Sequence, residues 1–160
     1  MKYEIINNFL EKNQFLNLKN IITAHHFPWF LSKGITKIGD SDYQFVHIFY
    51  INNAINSNFF EQLSPLIEKL KIRSLIRIKA NLIPKDIKII EHGYHCDFDY
   101  HDSKTAVFYI NNNNGYTKFK NGFISKSEEN KIIIFNSNEE HTGTTCTDSE
   151  YRIVININYF

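Results

Sequence analysis

Residues 151–160, YRIVININYF, carry the clearest strand pattern of this chain. Every second position from Tyr151 to Tyr159 is apolar or aromatic, and successive side chains of a β-strand point to opposite faces of a sheet. The stretch is therefore predicted to be a strand whose first face packs on a core, beneath helices. The second face carries Arg152, Val154, Asn156 and Asn158. We expect this mixed face to border a polar interior, although an ordinary two-faced strand with Arg152 in water would give the same pattern.

From residue 74 onward the chain is rich in short strand-like segments separated by Gly, Asn and Ser clusters. Several short strands with regular turn signals are typical of an all-β barrel or a jelly roll. The predicted segments are Ser74–Ile83, Ile87–Asp97, Lys104–Asn111, Thr117–Lys120, Lys131–Phe135, Thr142–Thr147 and Tyr151–Tyr159.

Residues 1–73 differ, because their apolar residues recur mostly at helical spacing. Helices are predicted near residues 9–22 and over Phe59–Leu70, where Pro65 is expected to shorten or kink the second helix. Gln44–Tyr50 is predicted to be a strand. The expected architecture is one domain over residues 1–160, with a helix-rich part at 1–73 and a jelly-roll core at 74–160. The fold class is thus mainly β with flanking helices on a double-stranded β-helix (jelly roll, cupin-like).

Length and composition limit the possible classes of protein. The 160 residues, 42% of them hydrophobic and 15% aromatic, fit one globular domain with a sizeable core. A formal net charge of +1 argues against a general binder of nucleic acid or anionic membranes. No apolar run approaches the ~20 residues of a membrane span, and the first residues lack the apolar region of a signal peptide. Two cysteines make no disulfide framework, so we expect a reduced, cytoplasmic protein.

The tripeptide His95-Cys96-Asp97 is the strongest functional signal. On a strand, residues two apart share a face, so the tripeptide would present an imidazole and a carboxylate side by side. One distant histidine, for which His141 is the candidate, would complete a set of two histidines and one carboxylate. Such a facial triad leaves coordination positions open and suits non-haem Fe(II). The spacing of His95 and Asp97 alone is weak evidence, because roughly one such pair is expected by chance in a chain of this composition.

Two further strands could line the same interior. Tyr109 would lie on the inward face of its strand, where its hydroxyl could join Arg152, whose planar guanidinium is suited to a carboxylate. Taken alone, Tyr109 fits a core tyrosine with a satisfied hydroxyl better. Arg77, Lys79 and Asn81 alternate on one face of another strand. This stripe is either the exposed face of an edge strand or an inward polar face that places Asn81 near the metal-proximal carboxylate of a cosubstrate.

Other histidine and cysteine arrangements are weaker. A zinc site from His92, His95 and Cys96 is conceivable, but Cys96 should point away from His95 on a strand. Neither cysteine has a catalytic histidine arrangement, and there is no Gly-rich phosphate loop. The remaining histidines that have no acidic residue at suitable spacing, and are expected to be structural or exposed, are His25, His26 and His47.

Five motifs follow one another along the second half of the chain: GYHCDF at 93–98, TAVFYIN at 105–111, GYTKF at 115–119, IFNSNEEHTG at 134–143 and YRIV at 151–154. Their order resembles the Fe(II)/2-oxoglutarate-dependent oxygenase superfamily, in particular the small prolyl-4-hydroxylase-like oxygenases of phages and marine bacteria. Those proteins show a His-x-Asp, a Tyr-Leu-Asn strand, a Gly-Gly-x-Thr turn, and a Phe followed by His and then Arg. The similarity covers most of the chain, since Phe27-Pro28-Trp29 and residues 77–82 also look like that group.

The resemblance implies roles for the matching positions. The Fe(II) ligands would be His95, Asp97 and His141. Arg152, helped by Tyr109, would bind the distal carboxylate of 2-oxoglutarate. Asn81 is carried over less firmly, from the strand that precedes the metal pair. The chain departs from the family pattern at two places, and both concern the geometry of turns. Asn114-Gly115 replaces the usual double Gly, and Ser125-Lys126 lies where the family commonly has a Pro.

The implied activity is an Fe(II)- and 2-oxoglutarate-dependent dioxygenase that uses O2 to hydroxylate a protein or peptide side chain or a small molecule, with release of succinate and CO2. Ascorbate is a further candidate cofactor, and neither a membrane nor nucleic acid is expected as a partner. Two alternatives stay open: a non-catalytic jelly-roll binding protein, and a different metal-dependent cupin enzyme such as an isomerase or a lyase. Fold-level likeness does not carry substrate choice.

Overall fold

The computed structural model describes residues 3–35 and 43–160, which contain eleven strands, two α-helices and a 3₁₀ helix. The strands are β1 (Glu4–Ile6), β2 (Phe30–Lys33), β3 (Tyr43–Ile51), β4 (Ala54–Ile55), β5 (Leu75–Pro84), β6 (Lys104–Tyr109), β7 (Tyr116–Phe119), β8 (Ile124–Lys126), β9 (Ile132–Asn136), β10 (His141–Gly143) and β11 (Tyr151–Tyr159). The helices are α1 (Lys12–Ile22), the 3₁₀ helix Phe60–Leu63 and α2 (Ser64–Lys69).

These strands build two antiparallel sheets. The larger sheet runs in the order β1-β9-β6-β11-β5-β3-β2, with β4 paired to β3, and the smaller runs β10-β7-β8. Isolated bridges pair Glu91 with Thr144 and His95 with His141. Residues 91–95 therefore lie along the free edge of β10 and extend the smaller sheet.

Strand β11 lies inside the larger sheet and has the two faces that its sequence predicts. Ile153, Ile155 and Ile157 join a buried cluster that includes side chains from both helices. The contributing helix residues are Phe15, Leu18 and Ile22 of α1, three and four positions apart, and Leu66 of α2. Because a fully buried aliphatic or aromatic side chain stabilises a fold by about 1.5–3 kcal/mol, this layer fixes the helices to one side of the sheet.

The opposite face of the larger sheet covers the smaller sheet. A second buried cluster joins Val107, Tyr109, Ile133, Phe135 and Val154 of the larger sheet to Phe119 of β7. Beside this cluster, polar residues of β5 and β11 line a cavity between the two sheets. The predicted class, mainly β with flanking helices on a jelly-roll core, is confirmed.

Three sequence predictions differ from the structure. The segment Ile87–Asp97 is not a strand, because it pairs with its neighbours only at two isolated bridges. Strand β10 ends at Gly143, so the predicted strand Thr142–Thr147 is too long. Residues 1–73 supply β1, β2, β3 and β4 to the larger sheet, which therefore crosses the predicted boundary between helix-rich part and core.

The second helical segment is interrupted as expected. Pro65 lies in the first turn of α2, where its missing N–H leaves no helical hydrogen bond unmade. The preceding residues form the 3₁₀ helix, so the predicted helix Phe59–Leu70 is divided into two short pieces. Neither helix in residues 3–35 and 43–160 has the length and apolar character needed to cross a bilayer.

Candidate active site

Three metal-ligating side chains meet where residues 91–97 run beside β10. One ligand atom from each of His95, Asp97 and His141 lies within 4.8 Å of the other two. Nε2 of His141 is 4.0 Å from Oδ2 of Asp97, and the two imidazole centroids are 4.6 Å apart. The described residues contain no other group of three histidine, cysteine or acidic side chains placed to hold a metal. The structure thus brings together the three residues that the sequence singled out.

Backbone hydrogen bonds position His95 and Asp97, which lie outside the regular strands, beside His141 of β10. The N–H of His95 donates to the carbonyl of His141 at 3.0 Å, and the N–H of His141 donates back at 3.0 Å. The N–H of Asp97 donates to the carbonyl of Ser137 at 3.0 Å. Directly opposed residues of an antiparallel pair share a face, with Cβ atoms about 4.5–5.5 Å apart. The bridge therefore explains why two histidines distant in sequence face one point.

Both imidazoles are oriented by backbone carbonyls. Nδ1 of His141 lies 2.9 Å from the carbonyl oxygen of Glu139, and Nδ1 of His95 lies 3.3 Å from that of Gly93. When Nδ1–H donates to a carbonyl, the Nε2 lone pair is left for a metal. Burial and the charge of His141 lower the pKa of His95, which favours the neutral imidazole that a metal requires.

Asp97 is held by donors that lie in one row across three neighbouring strands. Arg77 Nη2 donates to Oδ1 at 2.9 Å. Thr105 Oγ1 and Asn158 Nδ2 donate to Oδ2 at 3.0 and 3.1 Å. In the sheet register, Asn158 of β11 stands opposite both Arg77 of β5 and Thr105 of β6. Because a carboxylate has about four lone-pair sites, these bonds still leave one direction for a cation.

Electrostatic attraction keeps the Asp97 carboxyl ionised. Its side chain is only 4% exposed, and this burial alone would raise its pKa. Attraction to His141, Arg77 and His95 outweighs the burial. Together with the hydrogen bond from Asn158, it holds the pKa of Asp97 below its usual value. The cluster therefore offers the charged carboxylate that metal binding needs.

His95, Asp97 and His141, which we call the metal cluster because they could hold an ion, line a cavity of about 270 Å³. This volume is close to the lower limit for small-molecule sites. The cavity runs between the two sheets, with Thr117, His141 and Gly143 on the smaller sheet. Its lining from the larger sheet comprises Arg77, Lys79, Asn81 and Ile83 of β5, Val107 of β6, and Arg152, Val154 and Asn156 of β11. Gln44 of β3 also lines it.

Arg152 is the buried cation of this cavity. The residue is 2% exposed, and its Nε and Nη2 donate to Ser127 Oγ at 2.9 Å and Thr117 Oγ1 at 3.1 Å. Within residues 3–35 and 43–160 it makes no ion pair with a carboxylate. A buried charge without a counter-charge is costly, and an anion bound beside Arg152 would supply the counter-charge.

Two glycines make room for Arg152. A Cβ atom on Gly115 would lie 2.8 Å from Arg152 Cδ and 2.8 Å from the carbonyl oxygen of Thr145, so a side chain there would displace one of them. A Cβ atom on Gly143 would lie 3.4 Å from Arg152 Nη1. Gly143 is two residues beyond His141 on β10, about 6.7 Å along the strand. Residues two apart on a strand share a face, so the guanidinium lies beside the same face of β10 as His141.

The structure places the two remaining predicted site residues differently. Asn81 is buried, lines the cavity and has no hydrogen-bond partner for its Oδ1 in the described residues. Tyr109 is fully buried beneath the cavity, where its hydroxyl donates to Thr117 Oγ1 at 3.0 Å. Its ring lies 5.8 Å from Cζ of Arg152. Tyr109 therefore reaches a bound anion only through Thr117 and Arg152.

The stripe of Arg77, Lys79 and Asn81 faces inward. Strand β5 lies between β11 and β3, so the interpretation of this stripe as the exposed face of an edge strand is wrong. No role was predicted for Thr105 or Asn158, which donate hydrogen bonds to Asp97, or for Thr117, which accepts one from Arg152. The signal was present in the alternating faces of β6 and β11, but their register was needed to bring these side chains opposite each other.

The other histidines and cysteines lie outside the metal cluster. His92 and Cys96 do not join His95 in a metal-binding group, so the zinc alternative is not supported by the described residues. His25 and His26 are exposed. His47 is buried and its ring nitrogens lie 2.7 Å from the Pro28 carbonyl oxygen and 2.7 Å from Ser57 Oγ, which confirms a structural role.

Comparisons with known proteins point to one architecture. No protein-family profile matches the chain, and no curated protein matches it. An oxidoreductase of the 2OG-Fe(II) oxygenase family from Burkholderia pseudomallei is similar at a TM-score of 0.71 and 13% identity, over 99% of this chain and 85% of that chain. The viral collagen prolyl hydroxylase vCPH from Paramecium Bursaria Chlorella virus-1, in complex with 2OG, gives 0.65 and 15%, over 99% and 96%. The non-heme alpha ketoglutarate dependent epimerase SnoN from nogalamycin biosynthesis gives 0.67 and 12%, over 99% and 76%.

Identities this low establish a shared architecture and leave the activity open. These similarities give no support to ascorbate as a cofactor. Over nearly its whole length, the chain has the fold of the 2-oxoglutarate/Fe(II) oxygenases, including the prolyl-hydroxylase type that its motifs resemble.

Proposed function

We propose that this protein is an Fe(II)- and 2-oxoglutarate-dependent dioxygenase that hydroxylates a protein or peptide side chain or a small molecule. One observation carries the proposal. A cluster of two histidines and one carboxylate shares a cavity with a buried guanidinium that has no carboxylate partner among the described residues. A cation at one end and an anion site at the other are what a chelating dicarboxylate requires.

At the metal end, His95, Asp97 and His141 would hold Fe(II). This donor set suits Fe(II) and leaves coordination positions for 2-oxoglutarate and O2. When bound, the metal and cosubstrate supply an oxidative decarboxylation in which one oxygen atom of O2 enters succinate as CO2 leaves and the other enters the product. The chain's own contribution is to favour the neutral form of His95, to orient both imidazoles, and to hold the carboxylate charged.

At the other end, Arg152 would bind the distal carboxylate of 2-oxoglutarate. Its bonds to Ser127 and Thr117 fix the plane of the guanidinium, while Nη1 lies beside Gly143. Tyr109 would help by holding Thr117, and Asn81 would lie near the metal-proximal carboxylate. This division of roles uses each predicted site residue at the position where it lies.

Apolar side chains limit water around the bound anion. Ile83, Val107 and Val154 line the cavity beside Arg152. A charge pair is stronger where water is excluded, provided that both partners are well hydrogen-bonded. The cavity therefore favours a desolvated salt bridge between the guanidinium and a carboxylate.

The experiment that tests the proposal measures labelled succinate formed from 2-oxoglutarate with Fe(II) and O2, by mass spectrometry. We expect slow, O2-dependent formation in the wild type even before the primary substrate is known. His95→Ala should abolish it, and His25→Ala, which changes an exposed histidine outside the cavity, should retain it within twofold. Equal rates in the wild type and His95→Ala would reject the ligand assignment. Failure of the wild type to bind 2-oxoglutarate in the presence of metal would overturn the proposed function.

A second measurement separates hydroxylation from other outcomes. Because the fold is also that of the epimerase SnoN, the mass of the product decides the reaction class. A hydroxylase adds one oxygen atom to its substrate, whereas an epimerase leaves the mass unchanged. Screening candidate substrates for an O2-dependent gain of one oxygen therefore tests the finer assignment.

A further inference from the structure

Lys79 is a cation of the cavity that the proposed chemistry does not use. Its side chain is half-buried and lines the cavity. It makes no hydrogen bond or ion pair with any residue of the ranges 3–35 and 43–160. An ammonium group carries three donors, so a half-buried one without a partner is available to a ligand.

The sheet register places Lys79 between the two ends of the site. On β5 it follows Arg77, which binds Asp97, and precedes Asn81 by two residues, about 6.7 Å in each direction along the strand. Directly opposite on β11 stands Asn156, which also lines the cavity. The amide of Asn156 makes no hydrogen bond with the described residues through Oδ1 or Nδ2, so its Nδ2 donor is available to an anion. Lys79 and Asn156 thus form an uncommitted polar pair near the metal cluster.

The charges of the cavity leave this pair unmatched. Among the described lining residues, the cations are Arg77, Lys79 and Arg152, and the carboxylate is Asp97. Arg77 is already paired with Asp97 at 2.9 Å. A divalent metal and a dicarboxylate cosubstrate cancel each other in charge, so the loaded site still carries the positive charges of Arg152 and Lys79. Arg152 would contact the distal carboxylate, whereas Lys79 would contact no anion. The positive charge on Lys79 remains.

We infer that Lys79, together with Asn156, binds a carboxylate of the primary substrate. This inference rests on the proposed function and narrows its substrate to a carboxylic acid. The group is either a free small-molecule carboxylate or the acidic side chain of a peptide. An uncharged prolyl side chain would leave Lys79 unpaired. A single ammonium with one amide neighbour matches one carboxylate better than a phosphate, which would need more donors.

The state of Lys79 is consistent with this role. Burial and repulsion from Arg77 lower its pKa to about 8, and Asp97 offsets only part of this. The side chain therefore remains mostly protonated at pH 7 while it lacks a counter-charge. His95 and His141, which also line the cavity, supply no compensating negative charge.

The test uses the full chain loaded with Mn(II) and saturating 2-oxoglutarate, with acetate as the probe and acetamide as its uncharged isostere. Mn(II) relaxes the methyl protons of any probe bound nearby, and NMR measures that relaxation. We expect acetate to be relaxed at least tenfold more strongly than acetamide at equal concentration. Lys79→Met should abolish most of the acetate effect, and Lys79→Arg should keep most of it. 2-Oxoglutarate affinity should change by less than threefold in Lys79→Met.

Two outcomes would overturn the inference. Equal acetate relaxation in the wild type and Lys79→Met would mean that acetate binds the metal and not the lysine. A fall of tenfold or more in 2-oxoglutarate affinity in Lys79→Met would make Lys79 a cosubstrate ligand.

Failure of the proposed function remains distinguishable. If the wild type binds neither Mn(II) nor 2-oxoglutarate, acetate is titrated against metal-free Arg152→Met and against the double variant Arg152→Met/Lys79→Met. Loss of acetate binding only in the double variant supports Lys79 as a carboxylate site, and equal behaviour rejects it. The source of the carboxylate is then separated by comparing free organic acids with peptides that carry Asp or Glu in the mass screen.

Discussion

At the metal end of the cavity, Asp97 meets three donors from the protein, whereas at the other end Arg152 meets only neutral hydroxyl oxygens. The first end is complete without a cosubstrate, because the carboxylate is charge-paired with Arg77. The second end lacks a counter-charge in the described residues until an anion arrives. This difference predicts that the two ends respond separately to mutation. Changes around Asp97 should lower metal affinity, and changes around Arg152 should lower 2-oxoglutarate affinity.

The largest expected effect comes from removing the unpaired charge. Arg152→Met should weaken 2-oxoglutarate binding by roughly 2–5 kcal/mol, because the ligand carboxylate would be desolvated without a partner. Calorimetric titration at saturating Mn(II) measures this change. Metal affinity should stay within a few-fold of wild type. Arg73→Met, which alters an exposed arginine, is the matched control. Unchanged cosubstrate affinity in Arg152→Met would remove the basis for calling this the anion end.

The next effect tests the row of donors at the metal end. Thr105→Val keeps the side-chain shape but removes the hydroxyl 3.0 Å from Asp97 Oδ2. Loss of such supporting bonds typically costs 10–100-fold in metal affinity, and we expect about tenfold here. Titration with Mn(II), followed by its electron paramagnetic resonance signal, measures it.

Thr117→Val is the matched change at the Arg152 end. It removes the acceptor of the hydrogen bond from Arg152 Nη2. The affinity for 2-oxoglutarate should fall, whereas the affinity for the metal should not change. If both valine variants lowered the same affinity, the two ends would not be independent.

A smaller effect is expected from filling the space beside Arg152. In Gly115→Ala, the new methyl group would lie 2.8 Å from Arg152 Cδ and from a backbone oxygen, so the guanidinium or the loop must shift. We expect a loss of about 1–3 kcal/mol in the free energy of unfolding and a several-fold fall in 2-oxoglutarate affinity. Gly122→Ala meets no atom within 4 Å but has a positive φ of 91°, so it should cost stability alone. A normal cosubstrate affinity in Gly115→Ala would show that Arg152 tolerates displacement.

The smallest effect on 2-oxoglutarate affinity is expected from Lys79, whose replacement mainly changes the stability of the metal-free protein. Its folded pKa of about 8 lies below the value of 10.5 for a free lysine, so the unfolded chain binds more protons between these pH values. Stability from this group therefore rises with pH across that window and is lowest below pH 8. Lys79→Met should raise the free energy of unfolding at pH 7 by about 1–3 kcal/mol, and the gain should shrink towards pH 10.5.

Chemical denaturation at pH 7 and pH 10 measures this difference. Lys88→Met, at an exposed lysine, should show no such pH dependence. A destabilised Lys79→Met at pH 7 would mean that the ammonium has a stabilising partner.

The sequence predicted which residues of one strand share a face better than it predicted contacts between residues of different strands. The alternation of β11 and of β5 specifies which residues share a face, so the sequence could place Arg152 with Asn158 and Asn81 with Arg77. Which of the two faces points inward depended on the neighbouring strands. The support of Asp97 by Arg77, Thr105 and Asn158 could not, because it depends on the register of three strands far apart in sequence. The segment before Asp97 was predicted to be a strand for its apolar residues, yet its backbone pairs only at two bridges. Strands β1, β2, β4 and β8 have two to four residues, which is too short for a readable alternation.

The backbones of His95 and His141 are paired, so an ion bound by both imidazoles would also affect the stability of the fold. Two backbone hydrogen bonds hold these residues together, one in each direction. An ion shared by both imidazoles would act as a reversible cross-link that closes the chain between residues 95 and 141. Ligands that bind only the native state stabilise it by mass action. The resistance of this edge to unfolding would therefore follow the supply of free metal in the surroundings.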